Sequence, residues 1–323
     1  MSYPTPLIAH DIYVMEQFLE PERIKMIRDI WKEMLEYLES LLDRFMNNLP
    51  PDYRNRHLPE QPDIVWGERV IPNFRSTMEW LNECYIQRLN NDFSCYISFS
   101  LRSSINGQRE FSADWMDEVE PKAAAKYEYL LFKAYGLSEA IEHTVQQWAP
   151  GSLTHYFAQI GSHDSSFEYD PVTPPPLSYP IYRLNESVKV KTGEKVPQTG
   201  FYLPDLPDSF PCLLIEFDDE ILGMADETRI PENDPEYPGS RILAPCTWTL
   251  IERVADSGGG SGLKKEQFKR VTTVQGGQSA TRSGYWLTVA QQESRQYFKQ
   301  GEILPEIKNQ DWGEVYWQFD GEA

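Results

Sequence analysis

The sequence predicts an α+β fold in which an N-terminal helical bundle precedes a β-rich domain, and three observations lead to this prediction. Apolar residues recur every three or four positions between Ile24 and Leu49, which is the period of one buried helix face. Short β-type runs bounded by Gly, Pro and Asp follow residue 186. Among them, a Gly-aromatic-aromatic element occurs twice, which indicates a duplicated structural unit.

The longest predicted helix begins near Pro21 and ends before the Pro50-Pro51 pair. Proline suits the first turn, where its missing N–H has no helical partner, but it cannot continue a helix at the other end. A second helix is predicted to follow Pro72 and to run to Leu89 with one apolar face. The alternating stretch Cys95–Leu101 fits a strand and a helix equally well.

The helical domain is predicted to cover residues 1–165, and its last part contains two further helices. The earlier one begins near Pro121 and is predicted to stop at Gly136, because glycine readily adopts the left-handed conformation that ends a helix. Ser138 is predicted to cap the later one, since its hydroxyl can accept a free backbone N–H. That helix is expected to end before Pro150.

A linker and the β-rich domain follow the helices. Residues 166–185 contain five prolines, which favour a stiff, extended linker. The β-rich domain covers residues 186–323, in which Gly258–Gly262 is predicted to form a flexible loop, a native loop being a simpler interpretation than an introduced linker. Its predicted strands are Ser187–Val190, Gly200–Leu203, Pro211–Phe217, Thr247–Val254, Tyr285–Val289 and Val315–Phe319.

The duplicated element lies near residues 188–222 and 272–305, and Gly193–Leu203 aligns without a gap on Gly277–Leu287. Because neighbouring strand residues point to opposite faces, each aromatic pair should send one ring into the core. We therefore interpret the element as a structural scaffold rather than as two ligand pockets. Its defining residues are Pro197, Gly200, Phe201, Tyr202, Gly284, Tyr285, Trp286, Phe298, Gly301 and Pro305.

The second copy continues into a tail, Phe298–Pro305. Phe217–Leu222, which also opens with phenylalanine and contains an Ile-Leu pair, is predicted to be the counterpart of this tail in the first copy.

Composition and charge argue against several classes of function. Fifty acidic residues against thirty basic ones give a net charge of −20, which opposes binding to nucleic acid or to an anionic membrane. The first residues lack the basic region and apolar stretch of a signal peptide, and no apolar run is long enough to cross a bilayer. A cytoplasmic protein is therefore expected. The four cysteines have no Cys-x-x-Cys spacing and are predicted to be buried thiols.

Negative charge is concentrated between Asp205 and Glu236, where eleven acids accompany one base, Arg229. The run is either a solvated face that keeps the protein soluble or a surface that recruits a basic partner protein. Under the second interpretation, the candidate partner-binding residues are Asp205, Asp208, Asp218, Asp219, Glu220, Asp226, Glu227, Glu232, Asp234 and Glu236.

The motifs of enzymes, metal sites and cofactor sites are weak in this sequence. Ser162-His163-Asp164 is a run of neighbours, whereas a catalytic triad needs side chains that face one another. His143 and His155 are too far apart for two ligands on one helix face, and the 258–262 glycines lack the Gly-Lys-Ser/Thr ending of a phosphate loop. We predict no catalytic residue, no metal and no cofactor.

Two segments carry a resemblance to a known group of proteins. Pro72–Thr77 lies in the helical half, and Ser283–Leu287 is followed by Phe298, Gly301, Leu304 and Pro305. This pattern resembles the large immunity proteins of bacterial polymorphic toxin systems, families seventy-one and seventy-two, which are often encoded beside type VI secretion effectors. Their Ser-Gly-Trp-Trp element and closing Phe-x-x-Gly-x-x-Met-Pro are similar to the last block.

The chain also departs from the pattern of those families. Leu304 stands where methionine is usual, and Val196-Pro197 and Ala280-Thr281 stand where Cys-Pro commonly opens the repeat. The resemblance implies a non-enzymatic protein that binds and neutralises a cognate toxin, and it carries over no catalytic residue.

The resemblance and the charge together define the expected function. The toxin is expected to be encoded by the adjacent gene, and the inhibitor to occlude its active site. Because a toxin that attacks nucleic acid needs a basic groove, the acidic charge favours a nuclease that acts in the cytoplasm. The alternatives are a hydrolase that uses dispersed carboxylates and an acidic adaptor or scaffold of a secretion system.

Overall fold

The computed structural model describes residues 7–146, 179–219, 222–232, 240–254, 273–288, 291, 294–307 and 315–321. In these ranges the helices end at residue 146 and the strands begin at residue 182, so the predicted α+β class with helices first is confirmed. Ser162-His163-Asp164, His155, Gly258–Gly262 and most of the predicted linker lie outside the described residues.

The helices are α1 (Ala9–Phe18), α2 (Pro21–Asn47), α3 (Ile71–Leu89), α4 (Arg102–Gln108), α5 (Trp115–Val119) and α6 (Ala123–Gln146). A π-helical segment, Asp63–Val70, leads directly into α3, and short 3₁₀ helices occupy Tyr53–Asn55, Leu58–Glu60 and Ser94–Ser98. The bounds of α2 and α3 confirm the two longest helices that the sequence predicts. The ambiguous Cys95–Leu101 stretch begins as a 3₁₀ helix rather than a strand.

The prediction of two helices between residues 121 and 150 is wrong, because α6 runs unbroken through Gly136 and Ser138. Ser138 is completely buried and caps nothing. A glycine inside a helix costs about 1 kcal/mol, whereas each buried Leu or Ile side chain contributes about 1.5–3 kcal/mol. Apolar burial continues on both sides of the glycine and outweighs the local stop signal, at Leu130, Leu131, Ala134, Leu137, Ala140 and Ile141.

Within the described ranges, the β part consists of two four-stranded antiparallel sheets and one two-stranded ribbon. The first sheet has the order β1-β6-β2-β3, with β1 at Tyr182–Lys191, β6 at Thr247–Arg253, β2 at Gly200–Pro204 and β3 at Cys212–Leu214. The second has the order β7-β10-β8-β9, with β7 at Thr273–Gln275, β10 at Tyr316–Gly321, β8 at Gly284–Leu287 and β9 at Gln296–Phe298. The ribbon pairs β4, Thr228–Pro231, with β5, Arg241–Ala244.

Packing groups the described residues into two compact units, each of which contains helical segments and one sheet. The first unit takes in Met1–Arg23, Phe93–Phe99 and Gly136–Lys264, and the second takes in Ile24–Asp92, Ser100–Tyr135 and Lys265–Ala323. The change from helices to strands is therefore not the division between the units. The domain boundaries at residues 165 and 186 stay predictions.

The two sheets are copies of one another. We call β1, β2, β3 and β6 the first copy, and β7, β8, β9 and β10 the second copy; in this correspondence their strand orders are identical. The registers agree as well, since Gly200 pairs with Leu214 and Gly284 pairs with Phe298, each at the same sequence offset. The repeat found in the sequence is thus a structural duplication, as predicted.

The register corrects the predicted counterpart of the tail. Leu214, and not Phe217, occupies the place of Phe298. Isolated bridges join Lys195 to Met224 in the first copy and Ser279 to Ile303 in the second. The counterpart of the tail therefore begins at Leu214 and includes Met224, so the predicted match of Phe217 to Phe298 is wrong, because a longer loop between β3 and Met224 shifts the spacing in the first copy.

Each copy buries one small core on one face of its sheet. Equivalent positions supply a valine, a large aromatic residue and a tryptophan to both cores. The first core contains Val190, Val196, Tyr202, Cys212, Leu214, Ala225, Cys246, Trp248 and Leu250. The second contains Val274, Ala280, Trp286, Phe298, Leu304, Val315 and Trp317.

Candidate protein-binding surface

A glycine turn fixes the same loop in both copies. Gly193 and Gly277 have φ angles of +80° and +83°, in the left-handed region that disfavours residues with a Cβ atom. The N–H of Gly193 donates to the carbonyl of Ala225 at 2.8 Å, and that of Gly277 donates to the carbonyl of Leu304 at 2.8 Å. The turn therefore holds the segment that closes each core.

Buried aromatic side chains complete both cores with equivalent hydrogen bonds. The indole N–H of Trp248 donates to the Asp226 carbonyl at 2.8 Å, and that of Trp317 donates to the Pro305 carbonyl at 2.9 Å. These bonds let a large ring be buried without leaving its polar atom unpaired.

One aromatic side chain of each Gly-aromatic-aromatic element is also buried and hydrogen-bonded to a backbone carbonyl. The Tyr202 hydroxyl donates to the Gln198 carbonyl at 2.8 Å, and the Trp286 indole N–H donates to the Arg282 carbonyl at 3.3 Å. Both rings are fully buried, which confirms that each pair sends one ring into its core.

The other residues of the element lie at varied depths. Phe201, Gly284 and Phe298 are buried, Gly200 and Tyr285 are half-buried, and Pro197, Gly301 and Pro305 are exposed.

The outer faces of the two sheets, meaning the faces opposite the cores, differ. Phe201 and Leu213 pair across the first sheet, and both are buried. Their counterparts Tyr285 and Tyr297 pair across the second sheet, and Tyr297 is 45% exposed. The two tyrosine rings meet edge to face at 5.6 Å, with the Arg295 guanidinium 4.0 Å from the Tyr285 ring.

Helix α1 contacts the outer face of the first sheet through a buried acid. The Glu16 carboxylate accepts a hydrogen bond from the Tyr182 hydroxyl at 2.8 Å and pairs with Arg253 at 3.1 Å. Glu16 is only 5% exposed, and burial raises its pKa to about 7 although both partners act in the opposite direction. This contact fixes a helix to β1 and β6 with a group that titrates near neutrality.

The connection between β3 and β6 contains an insertion that the second copy lacks. Asp226 and Trp248, which share the indole hydrogen bond, are 22 positions apart, whereas the equivalent Pro305 and Trp317 are 12 positions apart. The β4–β5 ribbon lies within this longer connection, with its strands at Thr228–Pro231 and Arg241–Ala244. The insertion leaves the indole hydrogen bond of the first copy intact.

Acids surround the base of this ribbon. The Asp205 carboxylate accepts the Thr247 N–H at 2.8 Å, and the side chains of Asp208 and Asp226 are exposed. Burial raises the pKa of the Cys246 thiol to about 12, and the nearby charges of Asp205 and Glu227 act in the same direction. Asp205 and Glu227 therefore lie close to the same thiol, although they are far apart in sequence.

Arg241 fastens the ribbon to the loop between β2 and β3. Its Nη2 atom donates to the Asp208 carbonyl at 2.8 Å and to the Arg229 carbonyl at 2.7 Å. Beyond the strands, the Glu232 N–H donates to the Ser240 carbonyl at 2.8 Å. Hydrogen bonds therefore join the ribbon to the β2–β3 loop and hold its two strands together.

Two apolar side chains of β5 face solvent. Ile242 is 44% exposed and Leu243 is 56% exposed. They are consecutive strand residues, so they project from opposite faces of the ribbon. Their cross-strand neighbours are Ile230 and Arg229, respectively.

The remaining candidate acids form no single cluster with those at the ribbon. Asp218 and Asp219 are exposed in the turn after β3, where Lys195 pairs with Asp218 at 3.2 Å. Glu232 is exposed directly after β4. Three of the ten candidates lie outside the described residues, namely Glu220, Asp234 and Glu236.

Across the described ranges, no group of three or more His, Cys, Asp and Glu side chains could hold a metal ion, and no helix is long and apolar enough to cross a membrane. The four cysteines are buried thiols, as predicted. A cleft of about 220 Å³ in the second unit is lined by polar groups that include Arg69, Asn73 and Gln108, but by no carboxylate or imidazole.

Sequence patterns did not predict the strands of the β4–β5 ribbon or the contact of Glu16. The ribbon strands are four residues each, and β4 ends in Pro231, so no β-type run stands out. Glu16 had a recognisable signal, because it directly follows the apolar run Ile12–Met15. No family model, curated protein or solved structure matches the chain.

Proposed function

We propose that this protein is a cytoplasmic immunity protein that binds and neutralises a cognate bacterial toxin encoded by the adjacent gene. It acts as a stoichiometric inhibitor that occludes the toxin's active site and not as an enzyme. The observation that supports this most is the inserted ribbon of the first copy, which presents exposed apolar side chains among exposed acids. The resemblance to immunity families seventy-one and seventy-two supports it as well.

The charge of this surface favours a basic toxin such as a nuclease. An enzyme that cleaves nucleic acid concentrates positive charge in a groove that holds phosphates. Exposed carboxylates, among them Asp205, Asp208 and Asp226, would meet that groove with opposite charge and would speed association. A tight inhibitor is expected to bury roughly 1,600 Å² in total, with a few anchors supplying most of the binding energy.

Co-expression with the product of the adjacent reading frame tests the proposal. We expect the toxin to stop growth alone, and growth to recover when this chain is co-expressed and co-purifies with it. If the two proteins neither co-purify nor restore growth, the immunity function is wrong.

Titration of the purified toxin distinguishes an inhibitor from an enzyme. Toxin activity should fall in proportion to added protein and reach its minimum near one equivalent. Full inactivation by a small fraction of one equivalent would indicate catalysis and would contradict the stoichiometric mechanism.

A further inference from the structure

We propose that the β4–β5 ribbon inserts into a cleft of the basic toxin and that Ile242 and Leu243 are its apolar anchors. This inference rests on the proposed function, and it specifies which segment enters the partner. Four properties of the ribbon support it.

First, the four-stranded sheet does not need a connection as long as the one that contains the ribbon. The second copy reaches the same strand order and register with a connection that is ten positions shorter. It also keeps the equivalent buried tryptophan and its indole hydrogen bond. The extra residues of the first copy are therefore available for a role other than holding the sheet together.

Second, the ribbon exposes apolar side chains on both of its faces. Ile242 and Leu243 are 44% and 56% exposed, and they project in opposite directions. A flat partner surface would cover one of them and leave the other in water. A cleft covers both, so burial on both faces favours insertion over side-by-side contact.

Third, the ribbon is held in place before binding. Arg241 donates one hydrogen bond to the Asp208 carbonyl outside the ribbon and one to the Arg229 carbonyl on the partner strand β4, and Thr228 at the base of β4 is completely buried. A segment that is already ordered loses less conformational entropy when it binds. An inhibitor needs this property to hold an active site closed.

Fourth, the charge around the ribbon selects the partner. The side chains of Asp205, Asp208, Asp226 and Glu232 are exposed near its base or its strands, and Arg229 is the exposed base among them. An apolar centre with a polar rim is the usual composition of a protein interface. The complementary surface is a cleft with apolar walls and basic edges.

Binding to the purified product of the adjacent reading frame tests the inference. Ile242→Ser and Leu243→Ser should each weaken binding about tenfold or more, as expected for buried anchors. Neither variant removes a charge, so the dependence of affinity on salt should stay as in the wild type. Ile303→Ser in the second copy is the matched control, because Ile303 is 66% exposed and lies outside the ribbon.

The outcomes separate this inference from the proposed function. Wild-type affinity in both ribbon variants would overturn the insertion but leave the immunity function standing. Loss of affinity in only one variant would overturn the cleft in favour of a flat contact. Failure of the wild-type protein to bind would overturn the immunity function and the ribbon's role together.

Hydrogen exchange of the wild-type complex keeps the inference testable if a variant unfolds. Toxin binding should slow exchange of the Arg241–Ala244 amides and leave exchange in the second-copy strands β7 to β10 unchanged. Unchanged exchange in β5 on binding would overturn the insertion.

Discussion

The first and second copies share their cores and differ in what surrounds them. Both have the same strand order, left-handed glycine turn and buried tryptophan. Among the described residues, only the first has a buried outer-face pair, Phe201 and Leu213, a contact from α1 through Glu16, and a two-stranded ribbon between β3 and β6. The shared residues therefore define a common scaffold, and the differences lie in the elements that surround the first core.

Substitution of the two core tryptophans should have the largest effect on the free energy of unfolding, and it tests whether the two cores are equivalent. Trp248→Ala and Trp317→Ala should each lower the free energy of unfolding by about 3–5 kcal/mol, because each removes a fully buried ring from a small core. Denaturant unfolding of each variant measures the loss. A cost below 1 kcal/mol for either one would contradict the equivalence.

The pH dependence of stability tests the contact that only the first copy makes. The pKa of Glu16 is raised from 4.5 to about 7 in the folded protein, mainly by burial. The folded state then binds the proton more tightly than the unfolded state. The stabilisation that this proton contributes is therefore complete below pH 4.5 and is lost as the pH rises toward 7. The expected decline from this group is about 3 kcal/mol.

Glu16→Gln should remove that decline, because glutamine does not titrate. The stability of the wild type relative to Glu16→Gln should therefore fall between pH 4 and pH 8 when both are unfolded in denaturant. Glu232→Gln, which removes an exposed acid of the same unit, is the control. A difference that stays constant or grows with pH would show that Glu16 is not the group responsible.

The turn glycines give the smallest expected effect. Gly193→Ala and Gly277→Ala should each cost about 1–2 kcal/mol, because alanine is strained at their positive φ angles. A Cβ atom would meet nothing within 4 Å at Gly193, but it would lie 2.7 Å from the Glu306 carboxylate at Gly277. That side chain is exposed and can move, so thermal unfolding should show similar losses in both variants.

A matched double variant isolates the contribution of the neighbouring carboxylate. Gly277→Ala combined with Glu306→Ala should recover any excess cost at Gly277 and no more. A far larger loss at one glycine than at the other would show that the two turns are not equivalent.

The sequence predicted the parts of the fold that repeat or that follow a helical period. The apolar spacing predicted α2 and α3, and the repeated Gly-aromatic-aromatic element predicted the duplicated strands β2 and β8. It failed where tertiary packing overrides a local signal. Gly136 and Ser138 look like a helix end and a helix start, but the buried face of α6 continues across them.

The candidate surface was predicted only in part, for two physical reasons. The acidic run is continuous in sequence, but folding separates Asp218 in the turn after β3 from the acids near the ribbon. The apolar anchors gave no signal, because Ile242 and Leu243 form an ordinary pair of apolar residues in a four-residue strand. Their significance depends on their exposure, which a sequence pattern does not contain.

The salt dependence of toxin binding tests most directly whether the partner binds the first copy. Two variants that each remove two negative charges should be compared with the wild type: Asp226→Asn with Glu232→Gln in the first copy, and Glu302→Gln with Glu306→Gln in the second. All four side chains are exposed. We predict that the first-copy variant binds the toxin roughly fivefold more weakly at low salt and shows a shallower salt dependence, while the second-copy variant behaves like the wild type. Equal effects of the two variants, or an effect of the second-copy variant alone, would contradict binding through the first copy.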